Sequence, residues 1–187
     1  MHELDPKTLA RIAIVPFLPA PDFSGSGDPG VSGGGEAAEA AAITARIASD
    51  ALSAAGFEVI PASDVVQLFE AAGKPVPHGD EAAFAAAVAR EFGATSALFG
   101  SVHRYRERRG GELGATRPAS VGIELALKAA PSGRVIWTAR FDHTQQSLSA
   151  NALEARRYPG GGSRWLSAAE LARWGLDAAA ARLAQMR

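Results

Sequence analysis

Three consecutive strand-like runs, about Ser96–Glu107, Ala119–Ala130 and Arg134–Gln145, restrict the fold of this chain more than any other feature. In the second run Val121, Ile123, Leu125 and Leu127 alternate with Ser120, Gly122, Glu124 and Lys128. A period of two means one buried face and one wet face. Ala130-Pro131-Ser132-Gly133 then places Pro and Gly where a type I turn takes them. In the third run Val135, Trp137, Ala139 and Phe141 alternate with Thr138, Arg140 and Asp142. The second and third runs therefore predict a hairpin, and the first extends it to a meander.

The first half alternates short strands with helices. Arg11–Phe17 is apolar almost throughout and short, which predicts a strand buried on both faces, with Pro16 at its end or edge. Leu18–Gly35 is rich in Gly, Pro, Ser and Asp and is expected to be a mobile loop. Glu36–Ala55 is an alanine-rich helix stopped by Gly56. Phe57–Pro61 is a second strand. Ser63 is expected to cap a helix ended by Gly73, and Asp80 one ended by Gly93. Ser167-Ala168-Ala169-Glu170 is a capping box opening a last helix, with Leu171, Trp174, Leu176 and Leu183 on its stripe. The order is β-α-β-α-α-β-β-β-α. It predicts an α/β (α+β) fold with a single mixed sheet. Early strands run parallel, late strands form an antiparallel meander, and helices lie mainly on one face. Residues 1–10 read as a lead-in and 11–187 as one globular domain.

The 187 residues suit one domain, and 47% hydrophobic residues supply a core. A net charge of −1 provides no field for nucleic acid or an anionic surface. No apolar run reaches the roughly 18 residues of a membrane span. Met1-His2-Glu3-Leu4-Asp5 has neither the basic nor the apolar region of a signal peptide. The chain has no cysteine, so thiolate metal ligands and cysteine nucleophiles are excluded.

Motifs for chemistry are weak. Gly25-Ser26-Gly27-Asp28-Pro29-Gly30 matches the dinucleotide-binding spacing, but it lies well away from the preceding strand and the following helix, and Pro29 interrupts it. Gly25, Gly27 and Gly30 are the candidates for an alternative ligand- or nucleotide-binding role of loop 24–35. Ser32 in Gly30-Val31-Ser32-Gly33-Gly34 would need a separate acid and histidine, whereas Asp142 and His143 are adjacent. His2, His78, His103 and His143 make no metal-ligand pattern. His103–Arg109 is a basic run with one aromatic at a strand exit. Tyr158, Trp165 and Trp174 form an aromatic C-terminal region whose default role is packing.

Three stretches carry a resemblance. They are Arg11–Phe17 with its loop and long helix, Gly56–Ser63, and Gly93–Val102 with the hairpin after it. Together they resemble the domain shared by bacterial outer-membrane lipoproteins such as CsgG, LpoB and the N-terminal domain of TolB. Gly100–Tyr105, Pro118–Val121, Arg134–Trp137 and Phe141–Ser149 are similar, more narrowly, to a proteobacterial lipoprotein branch of that group. The resemblance implies a periplasmic domain with no catalytic residues and no cofactor. It would be anchored to the outer membrane only through an N-terminal lipid that this sequence does not contain. The expected partner is an envelope protein or a second copy of the chain, and the net charge of −1 speaks against nucleic acid. The expected partner-binding residues are Arg104, Arg106, Thr144, Gln145, Gln146 and Ser147, polar groups where the hairpin hands over to a loop. They equally suit backbone capping at a strand exit.

Overall fold

The computed structural model describes residues 4–26, 33–71, 73, 80–147 and 156–187. Its strands are β1 (Arg11–Ile14), β2 (Leu18–Ser24), β3 (Glu58–Ile60), β4 (Ser96–Arg106), β5 (Arg109–Gly110), β6 (Ala115–Arg117), β7 (Ser120–Ala129) and β8 (Val135–Thr144). Its helices are α1 (Gly33–Ala54), α2 (Ala62–Ala71), α3 (Glu81–Phe92) and α4 (Ala168–Ala184). The main sheet has the order β3-β1-β4-β7-β8, with β2 also on β4. β1 lies parallel to β3 and β4, while β4, β7 and β8 form the expected antiparallel meander. β5 and β6 make a separate small hairpin.

The expected loop 18–35 is shorter than its composition suggested, because Leu18–Ser24 is strand β2. β1 covers only Ser96–Leu98 of the eleven-residue β4. The rest of that edge carries backbone groups that need partners, and β2 pairs there at Leu18↔Ser101 and Pro19↔Val102. Phe17 seats the link between the two strands. Its ring fills the space beside Gly100, where a Cβ would come within 2.6 Å of it. Pro19 and Pro21 are tolerated because β2 is an edge strand. At the far end of the loop, α1 starts at Gly33, earlier than the Glu36 expected from sequence.

The lead-in is tied down. Leu9 is fully buried in the core, and Leu4 N–H donates to the Met186 carbonyl at 2.9 Å. Asp80 caps α3 through the Ala83 N–H at 2.9 Å, and Gly93 ends it with φ +65°. Ser63, expected as a cap, lies inside α2, which starts at Ala62; its hydroxyl donates to Asp64. Between β7 and β8 the Ala130–Pro131 peptide is cis.

Two cores lie on opposite faces of the sheet. Ile12, Ile14, Leu98 and the alternating Val121, Ile123, Leu125 and Leu127 pack against the two long helices, α1 and α4. Ala13, Val15, Ala97 and Phe99 face the other way, onto Val65 and Phe69 of α2 and Phe84 and Val88 of α3. The strict alternation Ile12/Ala13/Ile14/Val15 is why β1 reads as apolar throughout. The shorter pair of helices serves mainly the β3-β1-β4 end, with the first turn of α3 reaching Lys128 of β7 through Glu81. The second face of β7 and β8, with Glu124, Thr138 and Arg140, is left open.

Candidate interaction surface

A β-bulge organises the open face. β4 and β7 pair in step from Ser96↔Ala129 to Val102↔Ile123, and then Arg104 pairs with Gly122. One extra residue on β4 brings both His103 and Arg104 beside Gly122. A Cβ on Gly122 would lie 3.4 Å from that of Arg104.

The two side chains start a charged strip across four strands. His103 Nδ1 meets Asp22 at 2.9 Å, and its Nε2 lies 3.4 Å from Glu124. Arg140 lies 3.3 Å from both Glu124 and Asp142, and Asp142 also pairs with Arg104. The hydrogen bond from Arg104 is the main cause of the lowered pKa of Asp142, and the one from His103 does the same for Asp22. Exposed ion pairs of this kind add little to stability, because water and salt screen them. Beside the strip is a cavity of about 610 Å³ lined by Val15, Leu18, Phe99, Thr138 and Arg140.

On the opposite face an apolar groove of about 700 Å³ runs between β8 and α4, along Trp137, Phe141, Trp174, Leu176 and Met186. Gly175 lets α4 approach the Phe141 ring, which a Cβ there would meet at 2.5 Å.

The six candidate residues do not form one site. Arg104 and Thr144 converge on Ser120, a buried hydroxyl on β7: Arg104 Nε donates to Ser120 Oγ at 2.6 Å, and Thr144 Oγ1 lies 2.5 Å from it. Gln145 is buried and hydrogen-bonded into the segment before α4. Its Oε1 accepts from Leu166 N–H at 2.7 Å, and its Nε2 donates to the Arg164 carbonyl at 2.9 Å. Gln146 N–H donates to Tyr158 Oη at 3.2 Å, and that oxygen also lies 2.5 Å from His143 Nε2. Ser147 borders a cavity of about 290 Å³ with Gln146, Leu113 and Trp165. Arg106 stands apart, with its Nε buried and unbonded among the described residues.

Ser120 and Tyr158 organise these contacts, Ser120 contrary to its expected wet position and Tyr158 in the packing role expected of it. Ser120 falls on the polar side of the alternation, which hid its burial. Tyr158 is remote in sequence, yet its ring packs with His143 and Trp174 at 5.5 and 5.2 Å. Asp142 and His143 point to opposite faces, as adjacent strand residues must. The basic run is partly consumed by α4 and the segment before it: Glu107 accepts from Ala168 N–H at 3.0 Å, and Arg108 donates to the Trp165 carbonyl at 2.6 Å.

At the alternative ligand loop, Gly25 packs against the Glu36 carboxylate, which accepts from Ser26 N–H at 2.5 Å. This places a negative charge at the N-terminal turn of α1, where a phosphate would otherwise be favoured. Gly27, Gly30, Ser32, His2 and His78 lie outside the described residues. Among the described residues no His/Cys/Asp/Glu group could hold a metal, and no helix is long and apolar enough to cross a membrane.

No protein-family model matches the chain, and no curated protein matches it. Solved structures do. The PelC dodecamer from Paraburkholderia phytofirmans matches in two crystal forms with TM-scores of 0.50 and 0.51. Both are 17% identical and cover 93% and 94% of this chain and 88% and 90% of theirs. The lipoprotein GNA1162 from Neisseria meningitidis is 22% identical, covers 73% of this chain and 83% of its own, and has a TM-score of 0.49. The LpoB C-terminal domain from Salmonella enterica is 16% identical, covers 78% of this chain and 86% of its own, and has a TM-score of 0.43. The fold is shared with PelC.

Proposed function

We propose that this protein is a non-enzymatic cell-envelope domain of the lipoprotein type, acting as a protein–protein adaptor or assembly factor in the periplasm. Its outer-membrane anchor would be an N-terminal lipid lying outside this sequence. The observation that carries the reading is the unfinished half of the sheet. Apart from the first turn of α3, α2 and α3 leave the second face of β7 and β8 uncovered, exposing a charged strip and a groove there, while a second groove lies on the other face between β8 and α4. Two further facts support it. PelC, with the same fold, is a dodecamer, and GNA1162 is a lipoprotein. The polar groups at the end of the hairpin are largely bonded to one another or to backbone, which suits a rigid docking platform better than a reactive centre.

The test is in-cell cross-linking from the open face. A photo-reactive residue at Thr138 should trap a discrete envelope protein or a second copy of the chain. The same residue at Ser53, on α1, should trap neither. Equal, diffuse labelling from both positions would sink the adaptor reading.

A further inference from the structure

The free edges of the sheet are built differently. β3 is only three residues long. β2 carries Pro19 and Pro21. Shortness and proline are the usual protections of an edge strand. β8 has neither: it runs ten residues, Val135–Thr144, without Pro, Gly or Lys, and among the described residues only β7 pairs with it.

The direction of its backbone groups follows from one bond. Gln145 N–H donates to the Ala119 carbonyl, and the β7–β8 register is unbroken from Ser120↔Thr144 to Leu127↔Trp137. Antiparallel alternation then turns the odd-numbered residues 137–145 towards β7. It turns the N–H and C=O groups of Thr138, Arg140, Asp142 and Thr144 outward.

We propose that β8 pairs antiparallel with β8 of a second copy of this chain, with Phe141 at the twofold axis. In that register Arg140 lies opposite Asp142 of the other copy, twice, and Thr138 lies opposite Thr144, twice. All four pairs use the outward backbone groups. Charge complementarity selects this register. Sliding two residues one way sets Arg140 against Arg140, and two the other way sets Asp142 against Asp142. Sliding by one residue puts the polar face of one strand against the apolar face of the other. On the apolar side the two Phe141 rings meet, as cross-strand aromatic pairs favour, and the two grooves along α4 become continuous. The inference rests on the self-association arm of the proposed function and supplies its interface.

Two charge variants test it by light scattering, with circular dichroism to confirm folding. Arg140→Asp places acid against acid across the axis, and Asp142→Arg places base against base. Each alone should weaken the association by about tenfold or more. An equimolar mixture restores Arg–Asp pairing and should recover it. Because the chain has no cysteine, Phe141→Cys adds a second readout. Facing residues at a non-hydrogen-bonded pair have Cα atoms about 4.5 Å apart, within disulfide reach. Phe141→Cys should therefore oxidise to a covalent pair. Thr138→Cys, roughly 20 Å from its own copy in this register, should not. An assembly unmoved by both charge variants overturns the β8 interface and leaves self-association standing. A chain monomeric at every concentration, and never cross-linked at position 141, overturns both.

Discussion

Gln145 and Leu166 are joined by a buried hydrogen bond from the Leu166 N–H to Gln145 Oε1, at 2.7 Å. The same side chain donates to the Arg164 carbonyl at 2.9 Å, so one amide holds two backbone groups of the segment leading into α4. Gln145→Leu would keep the bulk and strand both partners. Loss of about 2–3 kcal/mol is expected, read as a lower urea midpoint with an unchanged slope. A variant as stable as the parent would show that water replaces the amide.

Gly175 sits against the Phe141 ring, which a Cβ on it would meet at 2.5 Å, and so lets α4 pack close to β8. Gly175→Ala should cost about 1–3 kcal/mol by overpacking, despite the better helix propensity of alanine. Phe141→Leu in the same chain should recover part of the loss, giving a coupling energy in a double-mutant cycle. Additive losses would mean that the ring does not set the helix position.

The start of α4 should be acid-sensitive. The hydrogen bond from Arg164 is the largest cause holding the Glu170 pKa at about 2, with the Ser167 backbone N–H adding to it. In the unfolded chain the carboxyl returns towards 4.5. The folded pKa is the lower one, so this stabilisation is complete above about pH 4.5 and is lost as the pH falls towards 2. Glu170→Gln should flatten stability against pH in that window. Ser167→Ala, which removes the other half of the capping box, should cost about 1 kcal/mol at neutral pH.

Burial, and then the nearby Glu107 charge, push the Tyr105 hydroxyl up to about 12. The chain has two tyrosines, so a Tyr158→Phe variant isolates this one. Its phenolate absorbance should rise well above pH 10 in the folded state. A midpoint near 10, with native circular dichroism retained, would contradict its burial between β4 and the large core.

The antiparallel meander was legible because β7 alternates without a break, and period two leaves little choice of structure. The caps at Asp80 and Ser167 were legible because a side-chain oxygen at a helix start has one good use. β2 was not. Leu18–Ser24 has the composition of a loop and becomes a strand only because β4 is longer than β1 and must be paired. The bulge at His103 was equally silent, since it is a mismatch between two strands rather than a property of either. Among the candidate site residues, Gln145 and Gln146 look alike as letters. Only packing buries the first and leaves the second exposed.

Local periodicity and capping over a few residues set the order of elements, the two faces of the central strands, the ends of α3 and the start of α4. Tertiary structure alone decided which helices cover which face and which polar groups are consumed inside. It also decided that, among the described residues, β8 pairs only with β7. These depend on contacts between residues far apart in the chain, such as Gln145 with Leu166 and Phe17 with Gly100, whose energies exist only once the sheet has formed.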